Sequence, residues 1–307
     1  MKILICDNLN LQVLDELNKI GDCTDISNST SKNKDLIKYI KDSEIIVIRS
    51  ATKLTKEILL NAKRLKIIAR CGVGVDNIDL EFAKSNKISV TNSPAANIIS
   101  VVELTVALII NASRKISLAD THVKNGKWDK SEFSGQELYK KNLGIIGFGK
   151  AGRLVADRMK SFGMSVFFYD PYVVDWDGPE EKKELDELLQ ISDVVSIHVI
   201  KTKETENLIS KDRLDLLKEN SILINTSRGN VLDEAYLFEL LKSKKIYGAG
   251  LDVYSNEPPQ NIETLKNVNI VTTPHIGATT FEAQLKAGMD TVNNIKKILS
   301  GDNSVEI

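Results

Sequence analysis

The chain has 307 residues, of which 42% are hydrophobic and 27% charged, a composition typical of globular proteins and not of disordered or fibrous ones. Its 41 Lys and Arg residues and 42 Asp and Glu residues give a net charge of -1, which argues against a nucleic acid or an anionic membrane as partner. The three cysteines have no CxxC or other metal-ligand spacing, so we expect reduced thiols and no metal site.

A chain of this length is expected to form two domains, at roughly 100–200 residues each. Its first part alternates short β-branched runs with helical patterns, which predicts parallel strands joined by helices. The predicted strands are 3–5, 45–48, 65–69 and 88–90, and the predicted helices are 9–20, 55–62 and 79–84. A long helix from 98 to 110 follows and is apolar around most of its circumference. We therefore expect a homodimer built mainly through this helix and its neighbours.

The second part of the chain repeats the same alternation. Strands are predicted at 143–146, 166–169, 194–197, 222–225, 248–253 and 268–271, with one helix ending at 162 and another at 185–189. Such near-continuous apolar strands indicate parallel sheets that helices cover on both faces. A last helix, 281–299, is expected to pack on the first part of the chain. The sequence therefore predicts an α/β fold with two doubly wound parallel-sheet domains, the first of them discontinuous.

The segment 143–152 places the pattern G-x-G-x-x-G directly after an apolar strand and at the start of a helix. Gly147 is expected to form the tight turn, Gly149 to let the backbone approach a pyrophosphate, and Gly152 to let helix and strand pack closely. Asp170 ends the next strand about 20 residues later, where an acid binds the ribose hydroxyls of NAD and repels the 2′-phosphate of NADP. The predicted cofactor is therefore NAD. Its predicted contacts are Gly147, Gly149, Lys150, Ala151, Gly152, Asp170 and Asp252.

A second pair of glycines, Gly72 and Gly74, also follows a predicted strand. Asn77 stands where the third glycine of a dinucleotide motif belongs, and the helix after it is weaker. We therefore expect a tight turn that offers backbone N–H groups to a ligand other than a dinucleotide.

Three reactive side chains, Arg228, Glu257 and His275, each come shortly after a predicted strand. Ligands of parallel α/β sheets bind beyond the carboxyl ends of the strands, so these side chains are expected to converge on the cofactor. A guanidinium group can bind a carboxylate, an imidazole can take a hydroxyl proton as hydride leaves, and a carboxylate can orient the imidazole. The trio predicts hydride chemistry on a 2-hydroxy acid, whereas His122 and His198 are predicted to be structural.

With these motifs the sequence resembles the D-isomer-specific 2-hydroxyacid dehydrogenases over nearly its whole length. The resemblance lies in segments 49–55, 72–79, 103–105, 147–152, 169–171, 226–229, 257–259 and 274–278. It implies that Arg228, Glu257 and His275 are the catalytic residues. The residues that it implies for substrate binding are Arg49, Val73, Gly74, Asn97 and Arg228. It also implies a Rossmann NAD-binding domain, 97–283, inserted in a flavodoxin-like substrate domain, 1–96 with 284–307, and a homodimer formed through the nucleotide domain.

Within this family the leading hypothesis is a cytoplasmic, NAD-dependent oxidation of 3-phosphoglycerate at C2 to 3-phosphooxypyruvate, the entry to serine biosynthesis. Arg49 follows the strand 45–48 and is the predicted contact for the phosphate. Two alternatives stay open: a glyoxylate or hydroxypyruvate reductase, which needs no phosphate site, and a NAD-sensing, corepressor-like binding protein with negligible turnover. Longer family members carry a C-terminal ACT domain, and because this sequence stops at Ile307, control by serine through such a domain is not expected.

Overall fold

The computed structural model of the chain describes residues 1–260, 265–266 and 268–307. The chain divides into two compact units, Met1–Asn97 with Ala278–Ile307, and Ile98–Gly277. Each unit contains one parallel β-sheet covered by helices, which confirms the predicted class of an α/β fold with two parallel sheets. The assignment of one unit to the substrate and the other to NAD stays a prediction.

The sheet of the first unit has the strand order β2-β1-β3-β4-β5, and neighbouring strands are parallel. The strands are β1 (Lys2–Ile5), β2 (Asp22–Asp25), β3 (Ile45–Ile48), β4 (Ile67–Arg70) and β5 (Ser89–Thr91). This is the strand order of flavodoxin-like folds. The central strand β3 has the sequence Ile-Ile-Val-Ile and is wholly buried. The sequence did not predict β2, because Asp-Cys-Thr-Asp at a sheet edge lacks the apolar signal of a buried strand.

Helices cover both faces of this first sheet. They are α1 (Leu11–Asn18), α2 (Lys32–Ile40), α3 (Lys56–Leu59), α4 (Leu80–Ser85) and the last helix of the chain, α11 (Phe281–Leu299). On one face Val13 of α1 and Ile295 of α11 join a hydrophobic cluster with Ile3, and on the other face Leu36 of α2 packs in a second cluster. An added Cβ at Gly288 of α11 would lie 2.3 Å from Val13 Cγ2, so a glycine is required where these two helices touch.

The sheet of the second unit has the order β12-β11-β10-β9-β6-β7-β8 over the described residues, and neighbouring strands are again parallel. The strands are β6 (Asn142–Ile146), β7 (Ser165–Tyr169), β8 (Glu181–Lys182), β9 (Val194–Ile197), β10 (Ile222–Asn225), β11 (Gly248–Leu251) and β12 (Ile270–Thr272). This is the Rossmann order with one additional strand. The predicted strands are found within about two residues of their ends, the usual uncertainty of such boundaries.

The helices of the second unit are α5 (Ile98–Arg114), α6 (Ile116–Lys124), α7 (Lys150–Lys160), α8 (Leu185–Ile191), α9 (Lys211–Leu214) and α10 (Glu234–Lys242). In α5, Val102, Leu108 and Ile109 are buried in the unit's own core, against α7 and the strands β10 and β11. Packing within the unit therefore accounts for much of the apolar surface that suggested an interface on this helix. Within the described residues, no helix combines the length and apolar character needed to span a membrane.

In both sheets the strand order reverses beside the first strand. The reversal lies between β1 and β3 in the first unit and between β6 and β9 in the second. The connections leave these neighbouring strands in opposite directions, which opens a crevice beyond their carboxyl ends. The residues that follow these strands are therefore the ones most favourably placed to bind ligands.

Candidate active site

The glycine turn that joins β6 to α7 has the geometry of a dinucleotide site. Gly147 has φ +93°, and a Cβ there would lie 2.8 Å from the carbonyl carbon of His198. A Cβ at Gly152 would lie 2.3 Å from the oxygen of Gly147, so helix and turn touch. A Cβ at Gly149 would have nothing within 4 Å, so the space beside this residue, just before α7, is open. Such a glycine-lined helix start fits the pyrophosphate of NAD.

Asp170 follows β7 and lies beside the same turn. Its carboxylate accepts hydrogen bonds from the backbone N–H of Phe148 (2.8 Å) and from that of Tyr172 (2.9 Å). Each carboxylate oxygen has a second lone pair, so the group can still accept bonds from ribose hydroxyls. The glycine turn itself therefore positions the acid that is predicted to select NAD.

Arg228 lies in a turn that immediately follows β10. Asn225, which is wholly buried at the end of that strand, accepts bonds from the N–H and hydroxyl of Ser227 and donates to the carbonyl of Arg228 (2.9 Å). The Thr226 hydroxyl is 2.8 Å from that of Thr105 on α5. These bonds fix the backbone on which the predicted carboxylate-binding guanidinium is carried.

His275 and Glu257, which the sequence predicted as an acid–base pair, are in direct contact. The Nδ1 atom of His275 lies 2.8 Å and 3.0 Å from the two carboxylate oxygens of Glu257. This contact leaves Nε2 as the ring nitrogen for a substrate. Both side chains are partly exposed, at 43% and 41%. The pair can take up a proton at Nε2 while the carboxylate stabilises the imidazolium.

The loops that carry this pair are themselves anchored. Glu234, at the start of α10, accepts a bond from the N–H of Ser255 (3.0 Å), two residues before Glu257. Burial raises the pKa of Glu234, the Ser255 N–H lowers it, and the charge of Glu257 raises it again. His275 has φ +53°, which is an unfavourable backbone conformation for any residue other than glycine. Such strained conformations occur most often at functional sites.

Asp252, predicted as a cofactor contact, is 1% exposed and lies beneath the His275 loop. It accepts bonds from the Thr273 hydroxyl (2.6 Å), the N–H of Ile276 (2.8 Å) and the N–H of Gly277 (2.8 Å). The structure thus gives Asp252 a role in holding the loop on both sides of His275. Its contact with a cofactor stays a prediction.

In the first unit, the predicted substrate residues follow β3, β4 and β5. Arg49 comes directly after β3, and Val73 and Gly74 lie in the turn that follows β4. In that turn Gly72 has φ +142°. The carbonyl of Val73 accepts a bond from Asn92 Nδ2 (2.6 Å). Asn97 is the last residue of the unit before α5.

Sequence reasoning missed Arg70, a second arginine at this edge of the first sheet. Arg70 ends β4, the strand beside β3, and its guanidinium donates to the carbonyl of Cys71 (2.8 Å). Burial raises the pKa of the Cys71 thiol, while the nearby charges of Arg49 and Arg70 lower it. Both guanidinium groups therefore lie near one thiol. The sequence does offer a signal for Arg70, because an apolar run precedes it as one precedes Arg49. The same reasoning would have placed Arg70 at the carboxyl end of a strand.

The other two histidines, His122 and His198, make contacts with neighbouring protein groups, and their structural role stays a prediction. The ring of His198 is 2.8 Å from the Ser196 hydroxyl, and burial lowers its pKa to about 4, so it is neutral at physiological pH. His122 packs edge-on against Phe133 and accepts a bond from the N–H of Asp129.

Comparisons with known proteins show which family the chain resembles. The family model described as the D-isomer specific 2-hydroxyacid dehydrogenase, NAD binding domain, matches residues 106–277. D-3-phosphoglycerate dehydrogenase from Methanocaldococcus jannaschii is 41% identical over 98% of this chain, which spans 58% of the length of that relative. Hydroxypyruvate reductase from Thermotoga maritima is 42% identical over 90% of this chain and 91% of its own length.

A solved structure also resembles the chain in fold. D-lactate dehydrogenase from Aquifex aeolicus, complexed with NAD and lactic acid, matches with a TM-score of 0.85 and 31% identity. The match covers 99% of this chain and 97% of that one.

Proposed function

The chain belongs to the D-isomer-specific 2-hydroxyacid dehydrogenases, and we propose that it is an NAD-dependent D-3-phosphoglycerate dehydrogenase. The reaction is the oxidation of 3-phosphoglycerate at C2 to 3-phosphooxypyruvate, a step of serine biosynthesis, in the cytoplasm. The first unit binds the substrate and the second unit binds NAD. The observation that carries the chemistry is the hydrogen-bonded pair of His275 and Glu257, on the same sheet edge as the glycine turn and Arg228.

Three side chains of the second unit have separate roles in the proposed reaction. When bound, NAD accepts the hydride that leaves C2 of the hydroxy acid. Arg228 binds the substrate carboxylate through paired N–H donors. Nε2 of His275 takes the proton of the C2 hydroxyl as the C2–H bond breaks, and Glu257 stabilises the imidazolium through Nδ1. The products are the 2-keto acid, the reduced cofactor and a proton on His275, which solvent then accepts.

The pair of arginines in the first unit supports a phosphorylated substrate. A phosphate dianion needs more positive charge than a hydroxyl group, and guanidinium groups bind phosphate oxygens through two donors at once. Arg49 directly follows β3 and Arg70 ends the neighbouring strand β4, which leads into the turn of Val73 and Gly74. The N–H groups of that turn are the proposed donors to the substrate carboxylate. A hydroxypyruvate reductase needs no such charge.

Hydroxypyruvate reductase is the second candidate, because one relative of that name is as similar to this chain as the phosphoglycerate dehydrogenase is, at 42% identity against 41%. The two candidates share the hydride chemistry and differ only in the need for phosphate recognition. Substrate preference therefore separates them.

The experiment is to measure kcat/KM for 3-phosphooxypyruvate and for hydroxypyruvate with NADH. Two hydrogen bonds to a charged phosphate, at roughly 1.5–3 kcal/mol each, predict a preference of about 10² or more for the phosphorylated substrate. Arg49→Ala should lower that ratio by about tenfold. Lys53→Ala, which removes an exposed positive charge four residues away, is the control and should leave the ratio unchanged. A wild-type ratio near one would assign the chain to the reductases.

We also propose that two copies of the chain associate through the second unit. None of the residues of α6 is buried within the unit, and Ile116, Val123 and the nearby Trp128 are 47%, 52% and 87% exposed. Exposed apolar residues this close together are typical of a subunit interface. Light scattering at micromolar concentration should give the mass of a dimer, and a monomer would contradict the proposal.

A further inference from the structure

The turn that carries Arg49 is held on two sides by side chains of the first unit. Asp7 accepts hydrogen bonds from the N–H of Arg49 (2.6 Å), the N–H of Thr52 (3.3 Å) and the Thr52 hydroxyl (2.9 Å). Asn77 donates to the carbonyls of the same two residues, Arg49 (2.8 Å) and Thr52 (2.6 Å). The backbone N–H and carbonyl groups of Arg49 and Thr52 are therefore bound by one carboxylate and one amide.

The guanidinium of Arg49 rests on the segment that contains Asp7. It donates to the carbonyl of Asn8, the next residue, at 3.2 Å. Asp7 and its neighbour thus contact both the backbone and the side chain of Arg49. A displacement of the chain after β1 would move the guanidinium with it.

Asp7 is a charged group in a buried place, at 5% exposure. Burial of a carboxylate is unfavourable unless the charge is paired and hydrogen-bonded. Lys32, at the start of α2, supplies the pairing charge at 2.5 Å. Because Lys32 neutralises Asp7, the carboxylate can hold the turn without cancelling the positive charge of Arg49.

The position of this cluster in the sheet favours a role in ligand binding. Asp7 follows β1 and Arg49 follows β3, the two strands between which the strand order reverses. Asp193 provides an informative contrast. It makes a similar ion pair with Lys218 (2.6 Å) and accepts a bond from the backbone N–H of Asn142 (2.8 Å), but at the amino-terminal edge of the second sheet, away from the ligand crevice.

We propose that Asp7 is a positioning residue for phosphate recognition, which holds the Arg49 turn so that the guanidinium meets the substrate phosphate. The inference rests on the proposed phosphorylated substrate and deepens it. Asp7 does not touch the substrate and acts through Arg49. Its loss should therefore weaken selection for the phosphate and spare the steps that occur in the second unit.

The test uses the ratio of kcat/KM for 3-phosphooxypyruvate to kcat/KM for hydroxypyruvate. Asp7→Asn keeps the size of the side chain but loses its charge and one acceptor. Asp7→Asn should lower the ratio by about tenfold, because kcat/KM for 3-phosphooxypyruvate falls. The kcat/KM for hydroxypyruvate and the KM for NADH should stay within about twofold of wild type. Asp193→Asn is the matched control and should leave the ratio unchanged. Thr52→Val, which removes one donor to Asp7 and keeps the shape, should give a smaller decrease of about threefold.

A double-mutant cycle then tests whether Asp7 acts through Arg49. In the Arg49→Ala background, Asp7→Asn should change the ratio by less than about twofold, because the group that it positions is gone. A full tenfold effect in that background would overturn the inference, as would an unchanged ratio in both Asp7→Asn and Thr52→Val. An equal decrease of both substrates in these variants would show a general structural role and would also overturn it. A wild-type ratio near one would overturn the proposed substrate, and the inference with it.

Discussion

The carboxyl edges of the two sheets share one architecture and differ in the chemistry placed on it. In the second unit, Gly147 and Gly149 follow β6, and a Cβ at Gly149, the residue before α7, would have nothing within 4 Å. In the first unit, the residues after β1 and β3 are charged, and Asp7 and Lys32 fix the turn of Arg49. A pyrophosphate needs a close backbone approach, which side chains would prevent, whereas a terminal phosphate needs mobile side chains to be held in place. The reversal of strand order that the two sheets share is therefore compatible with either kind of ligand.

Removal of the proposed base should have the largest effect, because it abolishes chemistry in the second unit without altering its binding surface. We expect His275→Asn to lower kcat by roughly 10²–10⁴, since proton transfer then lacks a titrating group, while the Kd for NADH stays near that of wild type. His122→Asn is the control and should keep full activity. Retention of most of kcat by His275→Asn would show that another group is the base.

The preference for NAD over NADP tests the proposed role of the Asp170 side chain in the second unit. Asp170 should repel a 2′-phosphate, and the residues that follow it, Pro171 and Tyr172, supply no compensating charge. We expect kcat/KM with NAD to exceed that with NADP by about 10² or more, as a charge repulsion of several kcal/mol predicts. Steady-state kinetics with both cofactors measure this directly, and equal values would refute the role of Asp170.

A methyl group added at Gly147 should disturb the glycine turn of the same site. At Gly147 it would meet the carbonyl group of His198 at 2.8 Å in a residue with φ +93°. Gly147→Ala is therefore expected to raise the Kd for NADH by about tenfold or more, since strain of about 1–3 kcal/mol must be relieved by movement of the turn. Gly301 is the control, because its φ is +88° but a Cβ there would have nothing within 4 Å. Gly301→Ala should bind NADH normally, and equal binding by both variants would contradict the account of the turn.

Acid should weaken the charged cluster of the first unit. Burial raises the pKa of Asp7, but Lys32, the N–H of Arg49 and the Thr52 hydroxyl together lower it below its usual value. A carboxyl group with a lowered pKa in the folded state stabilises the fold above the unfolded pKa of about 4, and this contribution is lost as the pH falls through the folded value.

We therefore expect Asp7→Asn to lower the free energy of unfolding by about 1–2 kcal/mol at pH 7, with the difference from wild type shrinking below about pH 4. Urea unfolding between pH 3 and 7 measures it. The control is Asp42→Asn, because the Asp42 side chain is 69% exposed in the wild type. Its free energy of unfolding should equal that of wild type at every pH. A pH-independent difference for Asp7→Asn would assign the loss to packing and not to charge.

The sequence predicted those features whose signal is local. The glycine turn, Asp170 and the strands around them depend on residues within about 25 positions, and the central strands of both sheets carry apolar runs that can be read directly. His275 and Glu257 were predicted to meet because each follows a strand of one parallel sheet. Their contact at 2.8 Å agrees with that expectation.

The features that the sequence did not predict depend on distant partners or weak patterns. Asp7 lies 25 residues from Lys32 and 45 from Thr52, and no spacing rule joins them. Arg70 ends an ordinary apolar strand, and only the pairing of β4 with β3 places it near Arg49. The helix α5 packs on α7 and the sheet of its own unit, and its place in a homodimer interface stays a prediction.

The central claim is that the second unit binds NAD and the first unit binds a phosphorylated substrate. Its most direct test is hydrogen exchange, measured by mass spectrometry on one sample with successive ligands. NADH alone should slow exchange in the peptide that contains 147–153 and leave 72–77 unchanged. Addition of 3-phosphoglycerate to the NADH-bound protein, which forms a complex that cannot react, should then slow exchange in 72–77, where Val73 and Gly74 are the proposed donors. Glycerate at the same concentration should have a much weaker effect. Equal protection by 3-phosphoglycerate and glycerate, or no protection in 72–77, would contradict the account that the first unit recognises a phosphorylated substrate.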